Sequence, residues 1–226
     1  MADTKSTFPG ARVSALRFAC VILGLAAWFG TQRLIAGRAF PEGSIGDAIF
    51  EATSAINNYL FAHRDTADLL LIASSGVIDI VGVYLLGSAI FGPSIRPFLG
   101  LLFVFSLRQI VQGLCALPPP PQMIWDYPGF PSLLVTYGTA NDLFFSGHTS
   151  IAVYGALEIA RNRSVFWKLI GVAIALFEMS TVLLLRAHYT MDVYGGIVTA
   201  LWVYSFIDRP AQWIDTALQR LLHTRA

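Results

Sequence analysis

Charge is what this sequence has least of. Of its 226 residues only 13% are Asp, Glu, Lys or Arg, about half the share of a typical soluble domain. The net charge is +1, so there is no basic field that would suit nucleic acid. There are two cysteines, Cys20 and Cys115. Both lie in or at the end of apolar stretches, at a spacing that makes neither a metal site nor a disulfide framework. No cluster of Asp and Glu suggests magnesium, and a lone His-Asp-His set is a poor zinc site. No metal and no cofactor are therefore expected. Internal repeats and low-complexity segments are lacking too.

What remains is apolar. Hydrophobic residues make up 55% of the chain, with sixteen Phe, eight Tyr and five Trp, and the mean hydropathy is +0.62. These values exclude an ordinary soluble enzyme and predict an all-α, polytopic membrane protein. Six apolar runs, at about residues 15–35, 69–91, 97–117, 142–159, 166–185 and 188–207, each approach the ~20 residues that cross a bilayer as helix. The expected fold is thus a six-transmembrane-helix bundle forming a single catalytic domain over residues 1–226. The first run lacks a small-residue cleavage site and reads as a retained span rather than a signal peptide.

Between the runs lie a polar tail (1–14), a segment of mixed polarity (36–67), an external loop (118–141) and a C-terminal tail (211–226). Within the second of these, Ile49, Ala52, Ile56 and Leu60 fall at helical spacing, as an interfacial helix or surface connector would. The loop opens with Pro118-Pro119-Pro120-Pro121, which forbids helix. It then carries Trp125, Tyr127, Phe130 and Tyr137 without a Lys or Arg, suiting either a membrane rim or a lid. The C-terminal tail places Trp213, Ala217 and Leu221 on one side of a short amphipathic helix.

Basic residues set the orientation. One side collects Lys5, Arg12 and Arg17, then Arg96, then Arg161, Arg163 and Lys168, and finally Arg209, Arg220 and Arg225. The other has Arg33, Arg38, Arg64 and Arg186. The bias puts both termini in the cytoplasm.

Two histidines stand at the outer ends of runs four and six: His148 in Ser146-Gly147-His148, and His188 in His188-Tyr189-Thr190-Met191-Asp192. Ionisable groups at membrane depth are costly and mark function, and hairpin logic puts the two on the same side. His188 and Asp192 are four apart and share a helical face; a carboxylate there fixes the imidazole tautomer and leaves the outward nitrogen as base or nucleophile. Ser146 and Gly147 allow close approach of a ligand, and Asp142 stands at a helix start, which attracts anions. Arg108 and Arg186 are candidates for phosphate oxygens, with Gln112 one turn from Arg108 on the same face. Asp79 must face the bundle interior, for structural pairing as readily as for catalysis. Glu158 and Glu178 read as lying near helix ends or facing one another. Two histidines, a carboxylate and arginines beside a membrane suit phosphoryl transfer on a lipid.

These motifs resemble those of the type 2 phosphatidic acid phosphatase superfamily. The likeness is closer to its transferase branch, the sphingomyelin synthases and the phosphatidylcholine:diacylglycerol cholinephosphotransferases. Phe145 precedes the first motif where lipid phosphatases usually have proline, and Arg108 followed by Leu117-Pro118 is similar to a segment of that branch. The phosphatases' basic first motif has no match: Ala89 stands where its lysine should, beside Arg96-Pro97, and Val182 replaces a further arginine. Arg186 replaces an acidic residue common in sphingomyelin synthases.

The resemblance implies a headgroup transferase acting between a membrane phospholipid donor and a diacylglycerol- or ceramide-like acceptor. His188 would be nucleophile, Asp192 its orienting partner and His148 the acid and then base. Arg108, Gln112, Asp142, Ser146, Gly147, Arg186, Trp125, Tyr127 and Tyr189 are the expected substrate contacts. The alternatives are a lipid phosphate phosphatase and a non-catalytic scaffold or transporter. The compact chain reads as a bacterial inner-membrane protein with its site facing the periplasm, or the lumen in a eukaryote. Oligomeric state stays open.

Overall fold

The computed structural model describes residues 45–115, 117–135, 137 and 143–223, and at residues 218, 219 and 221–223 the backbone alone. The tail 1–14, the run 15–35 and Asp142 lie outside them. The described residues fall within one compact unit, Ser44–Ala226. Every regular element among them is a helix.

Local chemistry sets the helix ends. Helix α1 (Ala48–Ala52) starts at Asp47, whose carboxylate accepts from the Ile49 and Phe50 amides; such caps satisfy the orphan N–H groups of a first turn. Helix α2 (Ser54–Ala62) follows after a break at Thr53, so the expected interfacial segment is two short helices. Helix α3 (Arg64–Phe91) stops at Gly92-Pro93, and α4 (Arg96–Leu114) has Pro97 in its first turn and ends before the four prolines. Helix α5 (Gly147–Ala160) is capped by Ser146, whose hydroxyl accepts from the Thr149 amide. Helices α6 (Val165–Leu184), α7 (Thr190–Phe206) and α8 (Asp208–His223) complete the chain.

The expectation of six spans does not hold. Among the described residues three helices, α3, α4 and α6, are long and apolar enough to cross a membrane. A fourth span arises only if α7 and the start of α8, bent by 51° at their junction, are taken together. Helix α5 has 14 residues, about 21 Å at ~1.5 Å per residue, against a hydrocarbon core of ~30 Å. Twelve of those 14 are buried. Its apolar character is that of a helix enclosed by other helices, because α5 packs on α3, α4, α6 and α7, and not of one facing lipid. Large apolar side chains are exposed instead on the spans, among them Leu69, Ile80 and Ile90 of α3, Ile110 of α4 and Leu169 of α6.

The core runs between α3, α5 and α7, with Ile78, Val81, Leu85, Ile151, Ala152, Tyr154, Ala200 and Val203 all buried. At the α5–α7 crossing, a Cβ on Gly196 would stand 2.9 Å from the Ser146 carbonyl oxygen and 3.0 Å from Ser150 Oγ. Glycine there is what lets the start of α7 lie against the start of α5. At the far end of α5, Arg96 ion-pairs with Glu158 and, through Nε, with Asp208 at 2.7 Å. Asp208 also pairs with Arg161 at 2.8 Å.

Candidate active site

Both histidine motifs sit at helix starts, and the backbone joins them directly. The Ser146 amide donates to the Asp192 carbonyl at 3.0 Å, so the cap of α5 and the first turn of α7 are fixed in register. His148, second residue of α5, and His188, two residues before α7, then line one cavity with Arg108, Gly147, Trp125 and Ile151. The cavity holds about 50 Å³, room for water rather than for a lipid headgroup.

Each side chain is held from behind. His188 Nδ1 is 3.7 Å from Asp192 Oδ2, an ion-pair separation longer than a hydrogen bond. Asp192 is fully buried, and the same Oδ2 accepts from the Tyr189 amide at 2.8 Å, which fixes the carboxylate. Arg108 on α4 donates from Nε to the Phe145 carbonyl at 2.9 Å. That contact lays its guanidinium beside Gly147, where an added Cβ would stand 3.3 Å from Nε. The Trp125 ring meets His148 edge-on, with centroids 5.0 Å apart. Trp125 is carried there by the Ile124 amide, which donates to the Leu185 carbonyl at 2.8 Å. Among the described residues no three of His, Cys, Asp and Glu come together as a metal site would need.

The expected substrate contacts divide into two groups. Arg108, Gly147 and Trp125 line the cavity with both histidines. The other described ones, Asp142 being outside the described residues, do not line it. Ser146 uses its hydroxyl on Thr149. Arg186 adopts φ 52° in the turn between α6 and α7 and donates to the carbonyls of Pro121 and Phe50 and to Gln122 Oε1. Tyr189 is buried and stacks on Phe50. Tyr127 is exposed and meets Tyr137 edge-on. Gln112 lies on α4 one turn beyond Arg108 and off the cavity lining.

Two acidic residues matter more than their sequence context suggests. Asp47 reaches across 143 positions to accept from Thr190 N at 2.7 Å and Thr190 Oγ1 at 2.8 Å, while its Oδ1 still caps α1 from Ile49. It therefore pins the first residue of α7, two positions from His188. Asp79 takes the structural role: it accepts from Ser132 Oγ and from the Leu133 and Leu134 amides. This holds Leu134 and Val135 over the cavity. The sequence offers structural pairing as one role for Asp79 but not its partners, and it gives no sign of the Asp47–Thr190 contact, because these partners lie more than 50 residues away. Replacing Asp47 by alanine removes a carboxylate that serves four donors and is expected to destabilise the protein by about 2 kcal/mol. Thermal unfolding in detergent micelles reads this, and an unchanged midpoint would show that the clamp contributes nothing.

Comparison with curated proteins and with solved structures gives no match. The model of the AtPDCT1/2 family matches residues 46–209, which include the cavity and both motifs. The chain belongs to that family, related to the type 2 phosphatidic acid phosphatases, and is a membrane enzyme that transfers a phospholipid headgroup.

Proposed function

We propose that this enzyme moves a phosphorylated headgroup, phosphocholine or one like it, from a glycerophospholipid to the hydroxyl of diacylglycerol or ceramide through a phosphohistidine intermediate. The supporting observation is that His148, His188 and Arg108 line one cavity with Asp192 behind His188. With Nδ1 of His188 toward Asp192, Nε2 is the nitrogen that attacks phosphorus. The N–P bond forms as the P–O bond to the diacylglycerol oxygen breaks, and His148 gives that oxygen its proton. The acceptor hydroxyl then loses its proton to His148 and attacks phosphorus, the N–P bond breaks, and His188 is regenerated. One residue thus serves as acid in the first half and base in the second. Arg108 neutralises the phosphate oxygens. The covering residues 123–135 must move aside to admit the lipid, and transfer in place of hydrolysis then requires that the bound acceptor displace water from the cavity.

The histidine end faces the periplasm of a bacterial inner membrane, or the lumen in a eukaryote. The reading is supported by Arg96, Arg161, Arg163, Lys168 and Arg209 gathering toward the other end, as cytoplasmic segments do.

The test uses purified protein in vesicles with headgroup-labelled phosphatidylcholine, with and without diacylglycerol or ceramide. Label is expected in a new lipid only when acceptor is present. Water-soluble label released at the same rate without acceptor would instead identify a hydrolase. A second variant checks the arginine. Gly147→Ala pushes a methyl group against the Arg108 guanidinium, and a displacement of a few tenths of an ångström is expected to slow transfer about tenfold while the unfolding midpoint stays put. Initial rates settle it, and wild-type rates would remove Arg108 from the phosphate site.

A further inference from the structure

The cover over the cavity rests on one face of α3. Ser75, Asp79 and Gly82 fall at i, i+4 and i+7, a single stripe along that helix, and each meets residues 132–135 or Tyr137. The Ser75 hydroxyl hydrogen-bonds the Tyr137 hydroxyl. Both oxygens of Asp79 are engaged: Oδ2 accepts from the Leu133 amide at 2.8 Å, Oδ1 from the Leu134 amide at 2.9 Å, and each from Ser132 Oγ at 3.1 Å. Gly82 is buried and forms the seat of Leu134, because a Cβ there would collide with Leu134 Cδ1. Ser132 Oγ also accepts from the Val135 amide at 3.2 Å, which folds the segment tightly around the carboxylate. Leu134 and Val135 line the cavity together with Ile78, the residue before Asp79. Leu133 is exposed, as are Ile80 and Val83 of α3.

Resting on the transferase reading above, we propose that Asp79 is the latch of a lipid gate: segment 132–135 lifts from the α3 stripe to let a phospholipid reach the histidines, and the carboxylate sets how often it does. With the segment seated the cavity holds about 50 Å³, too little for a headgroup. The seated form is therefore a resting one, and it has to open before donor or acceptor binds. Opening costs little at Ser132, Leu133 and Leu134, which are half-buried or exposed, since water takes over their donors. The cost falls at Asp79, whose carboxylate belongs to a membrane-spanning helix and gives up its partners there. Leu134 leaves behind an apolar seat at Gly82, beside the exposed Ile80 and Val83, which an acyl chain can take. Asp79 does not line the cavity and acts through the segment it holds, as a positioning residue. The same latch limits leakage. While the segment is up, water can attack phosphorus on His188: its proton passes to His148, the N–P bond breaks, and the headgroup phosphate leaves with His188 restored. A weaker latch thus raises lipid entry and hydrolysis together, whereas damage to the fold lowers both.

The first readout needs no lipid. In full-length protein with Cys20 and Cys115 replaced by serine, Ala187→Cys puts a thiol on the buried wall of the cavity. Its labelling by a water-soluble maleimide in detergent micelles reports the open fraction. Asp79→Ala is expected to speed labelling about tenfold, the worth of one charge-assisted hydrogen bond in such an equilibrium. Asp79→Asn, with one acceptor oxygen for two amides, should fall between. Leu134→Ala, at an exposed side chain whose loss leaves the bundle core intact, should speed labelling too. Val203→Cys, buried in the core and off the cavity, should stay unlabelled in every variant, which separates a gate from general loosening. The second readout uses headgroup-labelled phosphatidylcholine in vesicles. There Asp79→Ala should lower the apparent KM for lipid and raise release of water-soluble label without acceptor, each about tenfold. Equal labelling at position 187 with and without the carboxylate would overturn the latch. So would equal acceleration at position 203, or a KM and a release that both stay put. Faster labelling at position 187 in a protein whose wild type moves no headgroup to an acceptor would keep the latch and refute the transferase reading instead.

Discussion

Replacing His188 by alanine should lower headgroup transfer by about 10⁴-fold or more, the scale on which loss of a covalent nucleophile acts. The reasoning is geometric. Among the described residues His188 is the cavity imidazole with a carboxylate behind it, Asp192 Oδ2 at 3.7 Å from its Nδ1, and a buried carboxylate stabilises the imidazolium that forms when a histidine gives up its outward lone pair. His148→Ala should be nearly as damaging, because both half-reactions need its proton, and the double variant should be little worse than either single one, since the two act as a unit. Asp192→Asn keeps an acceptor for the Tyr189 amide but loses the charge, and a loss of about 10²- to 10⁴-fold follows. Transfer of labelled headgroup to diacylglycerol measures all four. Should the His188 variant keep a tenth of the wild-type rate, the headgroup would pass directly from donor to acceptor and the phosphohistidine route would be wrong.

The meeting of the two histidines is legible in the sequence because antiparallel helices return to the same side, and His148 and His188 both stand where an apolar run begins. The chemistry assigned to them is a proposal about that meeting. The number of spans is not legible, for a physical reason. Helix α5, enclosed on all sides by α3, α4, α6 and α7, needs an apolar surface all round, and so does a helix surrounded by lipid. Hydropathy cannot separate them. Length does, once Ser146 is seen to start α5 and Arg161 to end it. Reading the run from residue 142 lends the helix a turn it does not have.

Polar residues are misread in both directions. Arg186 has the charge of a phosphate ligand, and its place beside His188 invites that assignment. Its positive φ and its three oxygen acceptors instead make it the clasp of the turn between α6 and α7. Asp47 looks like one more charge on an amphipathic connector, yet it caps α1 and holds Thr190 at once. Such roles depend on partners 64 to 143 residues away, and no local period encodes them. The aromatic loop is an intermediate case. Its composition is visible in residues 125–137, but only packing brings Trp125 to His148.

The largest effect on stability is expected at the opposite end of α5. Arg96 and Glu158 are both buried and paired, while Asp208, their neighbour, is half exposed and keeps Arg161 as a second partner. Removing one member of a buried pair costs about 3–5 kcal/mol, because the other charge is left without a counterion. The two deletions are unequal here. Arg96→Met strands Glu158, which has no other ion-pair partner among the described residues, and should cost the upper part of that range. Glu158→Leu leaves Arg96 with Asp208 and over the Tyr204 ring at 4.4 Å, and should cost less. Combining the two replaces the pair by apolar side chains of similar volume and should recover most of the loss, since such exchanges are often neutral. Thermal unfolding of the four proteins forms a double-mutant cycle, and additive losses would show that Arg96 and Glu158 are not coupled. His148 and Glu158 are ten residues apart on α5, about 15 Å along its axis. The double variant should therefore transfer headgroup at the wild-type rate, separating what holds the bundle together from what reacts.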